Sequence, residues 1–176
     1  MRRIVVTGGP GAGKTTLLAA LHASGYRTVD ESARAIIRER LASGLSPRPP
    51  ALEFARQILD RDIAKYQQPP ELDLAFFDRG VVEALLMVNH VARLEAHEMR
   101  VLLSQYAYDR RVFVLRPWDA IYTTDSERDQ TFAEAVLHDT LVRWYRQCGY
   151  EVIAVTTGTV AERCAHVLRT LADSDV

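Results

Sequence analysis

Gly8-Gly9-Pro10-Gly11-Ala12-Gly13-Lys14-Thr15 matches the phosphate-binding pattern G-x-x-x-x-G-K-[ST] at every fixed position. Residues 4–7 before it form a β-branched run typical of a buried strand, and residues 16–21 after it are good helix formers. Strand, glycine loop and helix in this order place backbone N–H groups and a helix N-terminus around a bound phosphate. A glycine-rich turn with a lone lysine would not need both flanks, so the stretch predicts binding of a nucleoside triphosphate.

Each residue type in this phosphate loop (residues 8–15) has a chemical task. The glycines let the backbone turn sharply and approach phosphate oxygens. Lys14 is predicted to offset the charge of the β- and γ-phosphates, and the Thr15 hydroxyl to ligate Mg²⁺. No Asn-Lys-x-Asp segment supports guanine selectivity, so ATP and Mg²⁺ are the predicted cofactors. The predicted nucleotide-binding residues are Gly8, Gly9, Pro10, Gly11, Ala12, Gly13, Lys14, Thr15 and Thr16.

Length and composition limit the class of protein. The 176 residues predict a single domain, 1–176, and the 22 basic and 23 acidic residues argue against a dedicated nucleic-acid or membrane surface. No apolar run reaches the roughly 18 residues of a membrane span. The first predicted strand begins at residue 3, which leaves no room for a signal peptide. We therefore expect a cytoplasmic protein acting on a small-molecule acceptor; its oligomeric state is not predicted.

Strand and helix patterns alternate along the whole chain. Helices are predicted over about 14–23, 32–42, 52–66 and 129–147, in two pieces within 81–108 that break near 91–94, and from residue 159 onward. The alternation predicts an α/β fold with a mainly parallel sheet and helices on both faces. The predicted strands are 3–7, 26–30, 74–78, 111–116 and 150–156.

Two predicted strands end in acidic residues followed by arginine. In an open α/β sheet, these ends lie beside the phosphate loop. Asp78 is predicted to hold Mg²⁺ with Thr15, the alternative being a helix N-cap. Glu31 is predicted to accept a proton from the substrate, with Arg34 facing the same pocket; the alternative is an acidic first turn with an ordinary ion pair. Arg79 is predicted to contact the acceptor, the alternative being a surface arginine.

The stretch after the fourth strand, residues 116–128, is polar and carries arginines. Such a loop suits a lid that closes over phosphates and excludes water. Arg128 is predicted to supply the transition-state cation, with Arg116 as the second candidate. The alternative is an exposed loop with Trp118 and Tyr122 packed beneath it.

In four segments the chain resembles the kinase-like group of AAA-type P-loop proteins related to the nicotinamide riboside kinase domain of NadR. These are TGGPGAGKTT (7–16), DESARAII (30–37), FFDRG (76–80) and RPWDAIYTTDSERDQTF (116–132). The resemblance implies a three-layer P-loop NTPase fold with a five-stranded parallel sheet ordered 2-3-1-4-5. It also implies the deoxynucleoside-kinase plan, in which Glu31 is the base and Asp78-Arg79 the acidic–arginine pair. The sequence departs from that plan in one place, because strand two ends in Asp-Glu-Ser rather than Glu-Pro.

Three activities are compatible with these residues. The first is transfer of the ATP γ-phosphoryl group to a nucleoside- or nucleotide-type acceptor, with Lys14, Glu31, Asp78 and Arg128 as catalytic residues. The second is a slow ATPase or nucleotide-dependent switch acting through a partner, and the third is nucleotide binding without turnover. A carboxylate after strand two together with an arginine-bearing stretch favours the kinase.

Overall fold

The computed structural model describes residues 2–69, 72–116 and 131–173, with residues 131–137 described in the backbone. Strands and helices alternate in these ranges as the sequence predicts. The strands are β1 (Arg2–Gly8), β2 (Arg27–Val29), β3 (Leu74–Asp78), β4 (Arg111–Leu115) and β5 (Glu151–Val155). The helices are α1 (Lys14–Ala23), α2 (Ser32–Ala42), α3 (Ala51–Gln67), α4 (Val81–Ala92), α5 (Ala96–Gln105), α6 (Thr131–Gln147) and α7 (Val160–Ala172).

The five strands form one parallel sheet in the order β2-β3-β1-β4-β5. The predicted order 2-3-1-4-5 is therefore confirmed. Strand β1 lies at the centre, pairing with β3 through Val6 and Asp78 and with β4 through Gly8 and Leu115. This position brings the end of β1, where the phosphate loop begins, between the ends of its two neighbours.

Both faces of the sheet are covered, and alternate residues of β1 point to opposite layers. Ile4 and Val6 pack in a core that includes Leu17 of α1 and Val167 of α7. Val5 packs in a second core with residues of α4 and α6, including Leu85 and Tyr145. Trp144 Nε1 also donates to the carbonyl oxygen of Val82 at 2.7 Å, which fixes α6 against α4. The predicted three-layer arrangement is confirmed.

Several predicted boundaries shift by one or two residues. The edge strand β2 is shorter than predicted: the ring of Tyr26 instead packs edge-on against Phe76, with ring centroids 5.6 Å apart. The break between α4 and α5 falls at residues 93–95. Thr159 and Glu162 form a capping box at the start of α7, as their spacing predicts. Within the described ranges, no helix combines the length and apolar character that crossing a membrane requires.

Candidate functional site

The ends of β1, β3 and β2 meet at one edge of the sheet, because these three strands are neighbours in parallel orientation. Gly8 ends β1 and Asp78 ends β3, while Glu31 lies two residues after the end of β2. The carboxyl ends of parallel strands form the usual ligand crevice of open α/β sheets. Residues that lie far apart in the sequence therefore share one site.

The phosphate loop is shaped by two glycines that no other residue replaces without strain. Gly8 has φ 144, and a Cβ there would lie 2.4 Å from the carbonyl oxygen of Leu115 in the neighbouring strand. Gly13 has φ 81 and occupies the N-cap position of α1, where no side chain caps the helix. The free N–H groups at the start of α1 are a favourable environment for an anion. Thr15 and Thr16 follow on this first turn, with exposed side chains.

Lys14 folds back over the phosphate loop and is only 5% exposed. Its Nζ donates to the carbonyl oxygens of Gly8 at 2.9 Å and Gly9 at 3.1 Å. Burial, followed by repulsion from Arg79, lowers the pKa of Lys14 to about 8, against the attraction of nearby carboxylates such as Asp78. The ammonium group is thus held by weak neutral acceptors at the place where an anionic ligand would bind more strongly.

Asp78 is buried at the end of β3, and its Oδ1 atom has no hydrogen-bond partner among the described residues. Burial raises the pKa of Asp78, and the positive charge of Lys14 opposes that shift. The alternative interpretation as a helix N-cap is wrong, because Gly80 occupies the N-cap position of α4 and the Val81 N–H in its first turn donates to the Tyr108 hydroxyl at 3.2 Å. A buried carboxylate oxygen without a partner and the hydroxyl of Thr15 are a donor set that suits Mg²⁺.

Glu31 is held by two arginines. Arg34 Nε lies 3.0 Å from Oε2 of Glu31, and Arg79 Nε lies 3.2 Å from Oε1. The i,i+3 pair of the alternative interpretation is therefore present, but it is half of a larger arrangement. The Arg34 side chain is 51% exposed at the rim, whereas the Glu31 side chain is 13% exposed.

Arg79 is not a surface arginine, since its side chain is only 19% exposed and contacts three other residues of the site. Besides its contact with Glu31, it donates from Nη2 to the carbonyl oxygen of Gly8 at 3.2 Å and from Nη1 to Glu83. Burial disfavours its charge, but attraction from Glu83, Glu31 and Asp78 outweighs this and raises the pKa of Arg79. Its backbone has φ 68, a left-handed conformation that costs about 1–3 kcal/mol in a non-glycine residue.

Glu83 is a site residue that the sequence analysis missed. It is 5% exposed, and its Oε2 atom accepts hydrogen bonds from Thr7 Oγ1 at 2.6 Å and from the Tyr145 hydroxyl at 3.4 Å. The signal was a single acidic residue inside the otherwise apolar start of α4, VVEALL. Glu83 supplies the buried counter-charge that holds Arg79 beneath the phosphate loop.

A second missed group anchors the turn that carries Glu31. Asp62 of α3 is 6% exposed and accepts a hydrogen bond from Ser32 Oγ. Lys65 Nζ donates to Ser32 Oγ at 2.9 Å and to the carbonyl oxygen of Asp30 at 2.5 Å. Lys14 and Lys65 are the only lysines of the chain. One therefore lies in the phosphate loop, and the other supports the residues on both sides of Glu31.

The structure brings Lys14, Glu31, Asp78 and Arg79 into one electrostatic cluster and places Arg34 at its rim. Arg116 follows β4 with an exposed side chain. Arg128 lies outside the described residues, so its role as the transition-state cation stays a prediction.

Comparisons with known proteins agree with this architecture. The family model of the AAA domain matches residues 3–163, so the chain belongs to the AAA domain family. No curated protein matches the sequence significantly.

Solved structures of several kinases share the fold at low sequence identity. NadR protein in complex with NR superposes with a TM-score of 0.68 and 16% identity, covering 98% of this chain and 51% of the NadR chain. Shikimate kinase from Acinetobacter baumannii, in complex with shikimate, gives 0.63 and 17% over 100% of this chain and 96% of its own. Deoxyadenosine kinase from M. mycoides with bound dATP gives 0.56 and 17%, over 97% and 99%. The family match confirms the predicted AAA-type family, and the superpositions confirm that the chain shares the fold of NadR and of these kinases.

Proposed function

Because the chain belongs to the AAA domain family and has the fold of small-molecule kinases, we propose that it transfers the γ-phosphoryl group of ATP to a small-molecule acceptor. One observation carries the proposal. Arg79 contacts both the Gly8 carbonyl oxygen of the phosphate loop and the carboxylate of Glu31, each at 3.2 Å. Arg79 thereby holds the Glu31 carboxylate next to the expected position of the transferred phosphoryl group. Activation of an acceptor requires a carboxylate in this place, whereas nucleotide binding without turnover does not.

On the donor side, the phosphate loop and Lys14 bind the triphosphate. Lys14 exchanges its two carbonyl acceptors for phosphate oxygens, which form stronger charge-assisted hydrogen bonds. Thr15 and Asp78 are the residues that would hold Mg²⁺, which neutralises charge on the β- and γ-phosphates when bound. The orphaned Oδ1 atom of Asp78 supports this assignment.

On the acceptor side, Glu31 orients the incoming group through a hydrogen bond and takes its proton when that group is a hydroxyl. Arg79 fixes one carboxylate oxygen of Glu31, and Arg34 fixes the other. The exposed Arg34 guanidinium also reaches solvent, where it contacts the acceptor as it enters. Arg128 is proposed to complete the charge stabilisation from the stretch after β4.

The experiment is a phosphoryl-transfer assay with γ-labelled ATP and the compounds named for the structures of similar fold: deoxyadenosine, shikimate and NR. Glu31→Gln should keep ATP binding and lose acceptor-dependent transfer, whereas Lys14→Ala should lose both. Glu39→Gln, on the exposed face of α2, is the matched control and should behave as wild type. Label release that is independent of every acceptor and unaffected by Glu31→Gln would favour the ATPase or switch instead.

A further inference from the structure

Arg163, on the first turn of α7, is a buried cation with no partner among the described residues. It is 5% exposed, its Nε atom has no hydrogen-bond acceptor, and its guanidinium makes neither a hydrogen bond nor an ion pair there. Arg111, another buried arginine, instead pairs with Asp109 and donates to the carbonyl oxygen of Thr170. A buried charge without a partner is unfavourable, so its presence indicates a site that an anion completes.

The guanidinium lies directly against the phosphate loop. Its Nη1 atom is 2.6 Å from the point that a Cβ on Gly13 would occupy. Gly13 is the N-cap of α1 and immediately precedes Lys14, so this is also the positive end of the α1 dipole. Arg163 therefore adds a further cation to the loop beside Lys14 and Arg79, and it comes from the last helix, α7.

Arg163 also lines a small pocket, and the charged residues among its described lining are all basic. Arg116 and Arg163 line it together with the hydroxyl-bearing Thr156 and Thr157, and the described residues contribute no carboxylate to this lining. Ala12 of the phosphate loop forms one side of the pocket. Two arginines and two hydroxyls beside a phosphate loop are donors that suit an oxyanion, since a guanidinium presents a planar fork of N–H groups to phosphate.

We propose that Arg163 is a nucleotide-binding residue that contacts the polyphosphate chain directly, in addition to Lys14. This inference rests on the proposed function, because it takes the ligand to be a nucleoside triphosphate. The unpaired positive charge of Arg163 favours contact with the phosphates of the nucleotide rather than with its base. The base is neutral and would leave the buried guanidinium without a counter-charge. The contact forms only with ligand bound, so the ligand-free protein carries the unfavourable charge.

Binding of two probes to the full chain tests the proposal: the Mg²⁺ complex of a non-hydrolysable ATP analogue and that of inorganic tripolyphosphate. Arg163→Gln should weaken both by the same factor, about tenfold or more, because a hydrogen bond to a charged group is lost in each case. Arg163→Lys should recover part of the loss. Arg169→Gln, on the exposed side of α7, should bind both probes as wild type does.

Thermal unfolding without ligand supplies a second readout. Removing an uncompensated charge should leave the unfolding temperature of Arg163→Gln equal to that of wild type or higher, while the ligand-induced increase shrinks. A lower unfolding temperature without ligand would assign Arg163 a structural role and overturn the proposal.

The remaining outcomes separate this inference from the proposed function. Weaker binding of the ATP analogue with unchanged tripolyphosphate binding would show a contact with base or sugar and overturn the phosphate assignment. Unchanged binding of both probes would overturn the role of Arg163 alone. Wild-type protein that binds neither probe would overturn the proposed nucleotide site and this inference together.

Discussion

Arg79 Nε lies 3.2 Å from Oε1 of Glu31, and this ion pair joins the end of β3 to the turn after β2. The same guanidinium reaches the Gly8 carbonyl oxygen and the buried carboxylate of Glu83. A single side chain therefore connects the phosphate loop, the predicted acceptor carboxylate and the interior of the protein. The strained backbone of Arg79, with φ 68, is tolerated because these contacts over-determine its position.

Removing Arg79 should be far more destabilising than removing the other arginine on Glu31. Arg79→Ala leaves Glu83 buried without its counter-charge, so we expect a loss of about 3–5 kcal/mol in the free energy of unfolding. Arg34→Ala breaks a pair whose arginine is 51% exposed, and should cost at most about 1 kcal/mol. Urea denaturation of both variants measures the difference; similar losses would contradict the central role of Arg79.

Asp78 should be required for the use of Mg²⁺ rather than for folding. Asp78→Asn keeps the shape of the side chain but removes the charge that the metal needs, so Mg²⁺ should bind the nucleotide complex at least about tenfold more weakly. Binding of metal-free ATP should persist. Titration of Mg²⁺ against turnover is the measurement, with Asp73→Asn, exposed before β3, as the control. Unchanged Mg²⁺ dependence in Asp78→Asn would refute the assignment.

Gly8 should be required for folding itself, independently of ligand binding. In Gly8→Ala, a Cβ would lie 2.4 Å from the backbone oxygen of Leu115, and φ 144 is unfavourable for alanine. We expect Gly8→Ala to destabilise the fold by several kcal/mol, roughly the upper range for single substitutions. Gly44→Ala has φ 70 but open space around it, so only the conformational penalty of about 1–2 kcal/mol should remain. Thermal unfolding of the two variants compares Gly8→Ala, which combines a steric clash with backbone strain, with Gly44→Ala, which has backbone strain only.

Asp62 should make the stability of the protein fall as pH rises through the mildly acidic range. Burial raises its pKa from the ordinary value of 3.8 to about 6, against the hydrogen bond from Ser32 and the charge of Lys65. Below about pH 4, the carboxyl is protonated in both folded and unfolded chains, so it adds no penalty. Between pH 4 and 6 the unfolded chain ionises first, and above about pH 6 the full penalty of burying the charge is present.

The variant Asp62→Asn removes this ionisation and keeps an oxygen acceptor for Ser32. Relative to wild type, its free energy of unfolding should increase by on the order of 3 kcal/mol from pH 4 to pH 7, corresponding to a shift of about two pKa units. Denaturation curves across this range provide the measurement. Asp60→Asn, exposed on the same helix, should show a much smaller change. A difference between Asp62→Asn and wild type that is constant with pH would contradict this account.

The phosphate loop and the alternation of strands and helices followed from local signals, whereas the sheet order was implied by the family resemblance. Glycine spacing, β-branched runs and capping residues act within a few positions of one another, so a sequence displays them directly. The same holds for the capping box of Thr159 and Glu162, which the structure reproduces. The length of β2 was predicted less well, because an edge strand pairs on one side only and Tyr26 finds a better contact with Phe76.

The partners of the candidate site residues were decided by the tertiary structure. The sequence by itself determined a P-loop α/β domain and placed Lys14, Glu31 and Asp78 in or just before the segments that follow the first three strands. Asp62 and Arg163 carry no local pattern, and the acidic residue in the apolar start of α4 does not reveal the partners of Glu83; each of the three acquires its importance from burial beside a distant segment. The physical reason is that a charge becomes consequential when packing removes water from it, and that depends on which helices cover which strand ends.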